Sequence, residues 1–168
     1  MLIDHTYFTR GSRHIQNASL GTRPNPNAAE VVNAIEAYIE ENQERFLTLA
    51  LGERVGNKVH TYLVCRDEGD KIRNEAIEMA CDRLREAFAD FVFYRILRTS
   101  GTQATITGLV KLKNANEYAS PISRQVTAWN RMVDRMRDFA VWSATDECHL
   151  KGVSVDANIT TKINALNL

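Results

Sequence analysis

The chain has 168 residues, 44% hydrophobic and 25% charged, and its 21 Lys plus Arg balance 21 Asp plus Glu for a formal net charge of zero. That length suits one domain and the apolar fraction is enough to close a core, while the zero balance excludes a protein that binds nucleic acid or anionic membrane over its whole surface. The three cysteines, Cys65, Cys81 and Cys148, share no short spacing, which indicates neither a disulfide framework nor a zinc knuckle and reads as a reducing compartment.

Residues 1–27 mix the anchors Leu2, Ile3, Tyr7, Phe8 and Ile15 with turn-formers and end in Gly21, Pro24 and Pro26 without a helical period. They read as an extended, ordered N-terminal arm, with no signal-peptide pattern. Asn27 followed by Glu30 resembles a capping box, so a helix is expected to start there. From Ala28 the residues Val31, Ile35, Tyr38, Ile39, Phe46, Leu49 and Ala50 recur at three and four, which predicts a long amphipathic helix stopped by Gly52. A shorter helix follows, with Val55, Val59, Tyr62 and Leu63 on one face; Gly56 weakens it, and the run Asp67, Glu68, Gly69, Asp70 ends it.

Residues 71–98 contain no Gly or Pro and predict the longest helix, from Ile72 through Ala76, Met79, Leu84 and Phe88 to Tyr94. Its end, FADFVFYRIL, is apolar nearly all round. A surface helix is not built that way, so this half belongs at the centre of the core or against another subunit. Ala104 to Leu112 then follows a two-residue period with Ile106 and Val110 on one side, which predicts a strand or β-hairpin inserted over 99–119 and in need of a partner. Ser120 and Pro121 form a helix start. After them Ile122, Val126, Trp129, Val133, Met136 and Ala140 trace the cleanest amphipathic helix, with Arg124, Arg131, Arg135 and Arg137 on its other faces. Residues 150–168, rich in Asn and Thr, read as a C-terminal tail outside the core with a brief alternation at Val153 and Val155. The expected architecture is mainly α: a single domain with a four-helix core over 28–149, the 99–119 insertion, and arms at both ends.

Chemistry leaves little trace. DECH at Asp146–His149 resembles a helicase box, but no GxxxxGK[ST] loop exists to cradle phosphates. Cys148 and His149 are adjacent and lack a third ligand at a recognisable spacing, and His5, His14 and His60 are isolated. Glu36, Glu40 and Glu44 form an acidic stripe at i, i+4 and i+8, which reads as a solvated face or a docking surface for a basic partner. Arg124, Arg131 and Arg135 fall near one face, for solvent, salt bridges or phosphate contact. No catalytic residue, metal ligand or cofactor site is assigned, and the chain reads as a non-enzyme that works by shape and surface. Charge is also segregated: acids outnumber bases over 28–90, while bases outnumber acids over 1–27 and 91–149. Within one fold this provides internal pairing; in an assembly of subunits it makes one face attract the next.

Taken together, the opening MLIDHTYFTRGSRHIQN, then IEENQERFLTLALGERVG, AFADFVFYRILR, TGLVKLKNANEYASPISRQV and WNRMVDRMRDF, in this order, resemble the small head-tail connector, or neck adaptor, proteins of tailed bacteriophages and prophages of the Bacteroides type. The resemblance covers most of residues 1–143. It implies a virion structural protein, assembled in the host cytoplasm into a homo-oligomeric ring, commonly of twelve copies. That ring docks to the portal protein, meets tail or neck proteins and carries the DNA channel onward, with no membrane partner. On this reading Arg10, Arg13 and Arg23 contact an acidic neighbour, Phe91, Phe93 and Tyr94 pack the core or an interface, and Ile106, Val110, Arg124, Arg131 and Arg135 complete the interface candidates. The alternative is a small helical DNA-binding or regulatory protein using the arginine-bearing last helix.

Overall fold

Four helices, with a structured segment at each end of the chain, make up the computed structural model, which describes residues 1–19, 26–67, 73–100 and 121–166. The helices are α1 (Pro26–Leu51), α2 (Glu53–Asp67), α3 (Glu75–Ser100) and α4 (Pro121–Ser143), and no strand occurs among the described residues. The architecture is mainly α with a four-helix core, as the hydrophobic periodicities predict. The inserted strand or hairpin, with Ile106 and Val110, lies outside the described residues. Helix α3 runs through Thr99 to Ser100, so the insertion starts later than residue 99.

Local chemistry sets the boundaries. Helix α1 begins at Pro26 rather than with Asn27 as its cap; proline's fixed φ and missing N–H suit the first helical position, which puts Asn27 inside the first turn and Glu30 just beyond it. Gly52 ends it with φ +81°, its N–H donating to the Thr48 carbonyl at 2.9 Å. Helix α2 starts at the next residue, and there Gly56 is a requirement: a Cβ at that position would lie 2.7 Å from the Leu47 carbonyl oxygen and 2.9 Å from Thr48 Cα. The absent side chain lets the two helices cross almost backbone to backbone. At the head of α3, Asn74 Oδ1 accepts from the Ile77 N–H at 3.2 Å and so caps the helix. This sharpens the expected start at 71; Ile72 lies outside the described residues.

Helix α3 is the central element. Ala87 through Tyr94, then Ile96 and Leu97, are buried, so the all-round apolar stretch takes the core position of its two expected places. Phe46 of α1 packs on Phe88 and Phe91 of α3 at ring separations of 5.0 and 5.4 Å, and Tyr94 meets Trp129 of α4 at 4.8 Å. Helices α3 and α4 make the most extensive pairing and run antiparallel. Gln125 Nε2 donates to the Leu97 carbonyl, Arg131 reaches Asp90 and Arg135 reaches Glu86, so α4 residue numbers rise as α3 numbers fall.

The two termini depart from the sequence reading. Residues 1–19 do not reach outward as an arm: Leu2, Ile3, Phe8, Ile15 and Ala18 are buried in the core cluster, and the Leu2 N–H donates to Gln43 Oε1 at 2.6 Å. Short 3-10 turns at His5–Phe8 and Gly11–Arg13 supply the local hydrogen bonds that a helix would otherwise provide. Nor is the C-terminal stretch a free tail. The N–H groups of Ser154 and Asp156 donate to the Leu51 and Leu49 carbonyls at the end of α1, where helical acceptors are otherwise left open. A 3-10 turn, Ala157–Thr160, capped by the Asp156 side chain, then plants Ile159 in the core with no exposed surface. Asn130 pairs with both the N–H and the carbonyl of Ile163, and Trp129 Nε1 donates to the Thr161 carbonyl. Val153 and Val155 sit in this strap rather than in a strand. No described helix is long and apolar enough to cross a membrane.

Candidate functional site

The densest polar constellation is built around Asp90, whose side chain has no exposed surface. It lies one helical turn after Glu86 on α3, and the antiparallel helix α4 brings Arg131 and Arg135, also one turn apart, opposite this pair. The turn at Gly11–Arg13 closes the third side with Arg13. Arg13 Nη1 lies 3.2 Å from Asp90 Oδ1 and Arg131 Nε donates to the same oxygen at 3.0 Å, while Arg135 Nη1 pairs with Oδ2. Glu86 is shared at the rim, 2.7 Å from Arg13 Nη2 and 3.5 Å from Arg135 Nη2. The Glu86 carbonyl also accepts from Arg13, and Ser12 Oγ meets Arg131 Nη1.

Burying a carboxylate carries a desolvation cost that only close, well-directed cations offset. Arginine suits the task because its fork presents several donors at fixed angles and stays charged. Three guanidinium groups against two carboxylates leave the cluster with one surplus positive charge. Burial lowers the pKa of both Arg131 and Arg135, with the charge of Arg13 adding to the effect. The outer parts of Arg131 and Arg135 remain at the surface, with side chains 28% and 34% exposed.

Of the residues singled out in the sequence, Arg13, Arg131 and Arg135 are thus brought together, facing acids of their own chain. Arg10 is exposed, and Arg23 lies outside the described residues. Arg124 is set apart, its guanidinium 5.3 Å from the centre of the Phe93 ring. Phe91, Phe93 and Tyr94 are buried within the subunit. Asp90 and Glu86 were not singled out by the sequence reading. The signal for Asp90 was there: it is the sole carboxylate in FADFVFYRIL, and a lone acid on a helix apolar all round must find cations within the fold.

The other candidates fall into structural settings. His5 is not isolated, since its Nδ1 lies 2.9 Å from Glu36 Oε1, which removes Glu36 from the free acidic stripe. Glu40 and Glu44 stay exposed. Asp146, Glu147 and His149 are exposed after α4, Cys148 is half-buried, and Glu147 reaches Arg83 at 3.8 Å. Among the described residues no group of three or more His, Cys, Asp or Glu is placed to hold a metal ion. All three cysteines are free thiols, and burial pushes the Cys81 thiol up to about 12, which leaves it unreactive. A second network ties Tyr62, Arg66 and Glu78: the Tyr62 hydroxyl donates to Glu78 Oε1 at 2.7 Å, and Arg66 bonds both Glu78 and the Met1 carbonyl. An open cavity of about 570 Å³ lies between Met1, Leu2, Ile3, Asp4, Tyr7 and Arg85.

These arrangements brace elements against one another, and the arginine cluster combines a fully buried carboxylate with partly exposed arginine side chains. No protein-family model, curated protein or solved structure matches the chain.

Proposed function

We propose that the chain is a structural adaptor subunit of a phage neck, assembling as a ring that docks on the portal and continues the DNA channel toward the tail. The observation that carries this reading is the placement of the two helix ends that flank residues 101–120, which themselves lie outside the described residues. Helix α3 ends at Ser100, α4 begins at Pro121, and the Gln125–Leu97 bond holds these ends side by side. The sequence between these ends alternates as a strand does, and a strand gains hydrogen bonds by pairing with a neighbouring chain. The resemblance to neck adaptors over most of residues 1–143 supports the same reading.

The rival reading, DNA binding through α4, needs arginines free for phosphate. Arg131 and Arg135 instead neutralise Asp90 and Glu86, Arg124 lies over Phe93, and Arg137 Nε donates to the Thr160 carbonyl. The deciding experiment is negative-stain imaging and light scattering of the purified chain mixed with the portal protein. Rings seated on the portal are expected. Absence of both ring and portal binding overturns the reading, and a salt-dependent shift with duplex DNA in their place favours the rival.

A further inference from the structure

The open cavity of about 570 Å³ beside the N-terminal segment has a volume within the range of small-molecule sites. Its wall is held by bonds to the rest of the fold. The Leu2 N–H donates to Gln43 Oε1 at 2.6 Å, the Met1 carbonyl accepts from Arg66 Nη2 at 2.9 Å, and the Tyr7 N–H donates to the Asp4 carbonyl at 3.3 Å. The Asp4 carboxylate is engaged within its own turn, accepting from the Thr6 hydroxyl and from the Thr6 N–H at 2.9 Å. These bonds, the hydroxyl's first, hold it below the usual carboxylate range.

Arg85 of α3, which lines the same cavity, is differently placed. Its Nη1 lies 3.0 Å from Asp82 Oδ1, one turn earlier, but its Nε is buried with no hydrogen-bond partner among the described residues. A buried N–H without a partner carries the cost of its lost hydration, so an acceptor brought from outside is favoured there. With Nη1 on Asp82, the remaining donors are Nε and Nη2. They lie along one edge of the guanidinium plane and match the two oxygens of a carboxylate. The Arg85 side chain is 36% exposed, so a solute reaches it from solvent. Met1 and Tyr7, half-buried against the core, line the cavity beside it.

We propose that this cavity binds a monocarboxylate with a short apolar body, its two oxygens on Nε and Nη2 of Arg85 and its hydrocarbon part along Met1 and Tyr7. One negative charge suits the site better than a phosphate dianion, because Asp4 and Asp82 stand near a single guanidinium and repel a second charge. An uncharged ligand leaves the charge-assisted bonds of the fork unmade. The group required occurs on a free organic acid and at the end of a polypeptide chain, and both present the same two oxygens. The inference stands apart from the adaptor reading, since it needs neither a ring nor a portal.

The experiment is a two-dimensional amide NMR titration of the full chain at about 50 mM salt. The probes are 4-methylpentanoate, the peptide acetyl-Ala-Ala-Leu with a free terminal carboxylate, and the same peptide as its terminal amide. Saturable shifts confined to residues 1–7 and the turns of α3 around Arg85 are expected with a carboxylate and absent with the amide. The tighter of the two carboxylates names the source, free acid or chain end. Arg85→Gln and Arg85→Lys, each with an unchanged circular dichroism spectrum, are expected to weaken binding by about tenfold or more. Lysine keeps the charge and loses the paired donors, and it preserves the test if the glutamine variant does not fold. No saturable shift with either carboxylate up to about 10 mM overturns the site. An equal response to the amide does the same, as does undiminished binding by Arg85→Lys, which reduces the contact to general charge attraction.

Discussion

Asp90 shows what one residue asks of a fold. Apart from Glu86 one turn earlier, its carboxylate has apolar neighbours on α3, and three arginines from two other segments converge on it. Removing the acid leaves those cations crowded and partly desolvated, so Asp90→Asn is expected to cost about 3 kcal/mol or more in urea unfolding. Glu86→Gln, at the half-exposed rim, is expected to cost about 1 kcal/mol or less. Sequence reading reached the arginines because basic residues on an amphipathic helix stand out, and it missed Asp90 because an acid's partners come from tertiary packing. Glu78 gives a pH test. Burial alone would raise its carboxyl, but hydrogen bonds from Tyr62 and Arg66 outweigh this and hold it below its ordinary value of 4.5. A depressed carboxylate contributes stability that is complete above its unfolded pKa and is lost as pH falls through the lower folded value. Glu78→Gln is therefore expected to lower stability at pH 7 and to flatten the fall in melting temperature as pH drops below about 4.5. A parallel decline of both proteins through that range would contradict the assignment.

Elements explain where periodicity succeeds and where it stops. The four helices were legible because their apolar faces repeat at three and four, and Gly52 and Pro121 mark real ends. Gly56 looked like a weakness in α2 and proves to be the condition for its crossing with α1. Gly56→Ala is expected to destabilise by about 1–3 kcal/mol, because the new Cβ meets backbone of Leu47 and Thr48 that cannot rotate aside. Stability equal to wild type would show that the helices can separate at little cost. The terminal segments were misread as arms because they lack helical period, yet burial follows from anchors as much as from period. Leu2 and Ile3 precede the first 3-10 turn, Phe8 and Ile159 sit within 3-10 turns, and all four are buried in the core. Ile159→Ala is expected to cost about 2 kcal/mol or more by thermal or chemical unfolding. A negligible change would mean that the strap over α1 and α4 contributes no core packing.

For the whole molecule, segregated charge and a neutral total now have a partial internal account. Basic residues from the first and last parts of the chain close on acids of the acidic half at Asp90 and Glu86. The described backbone divides in the same way: the helices and both termini fold on one another, and residues 101–120 lie outside it. Replacing 102–119 with a Gly/Ser linker of about six residues tests that division, since helix–helix connections of this length are common and loop length changes closure entropy by only about 1 kcal/mol. The shortened chain is expected to keep its helical spectrum and to unfold within about 1 kcal/mol of wild type. On the proposed adaptor role it is also expected to lose portal binding, because the sequence with strand alternation is gone. Loss of folding would assign the segment to the core. Retained folding with undiminished portal binding would move the docking surface onto the helices themselves.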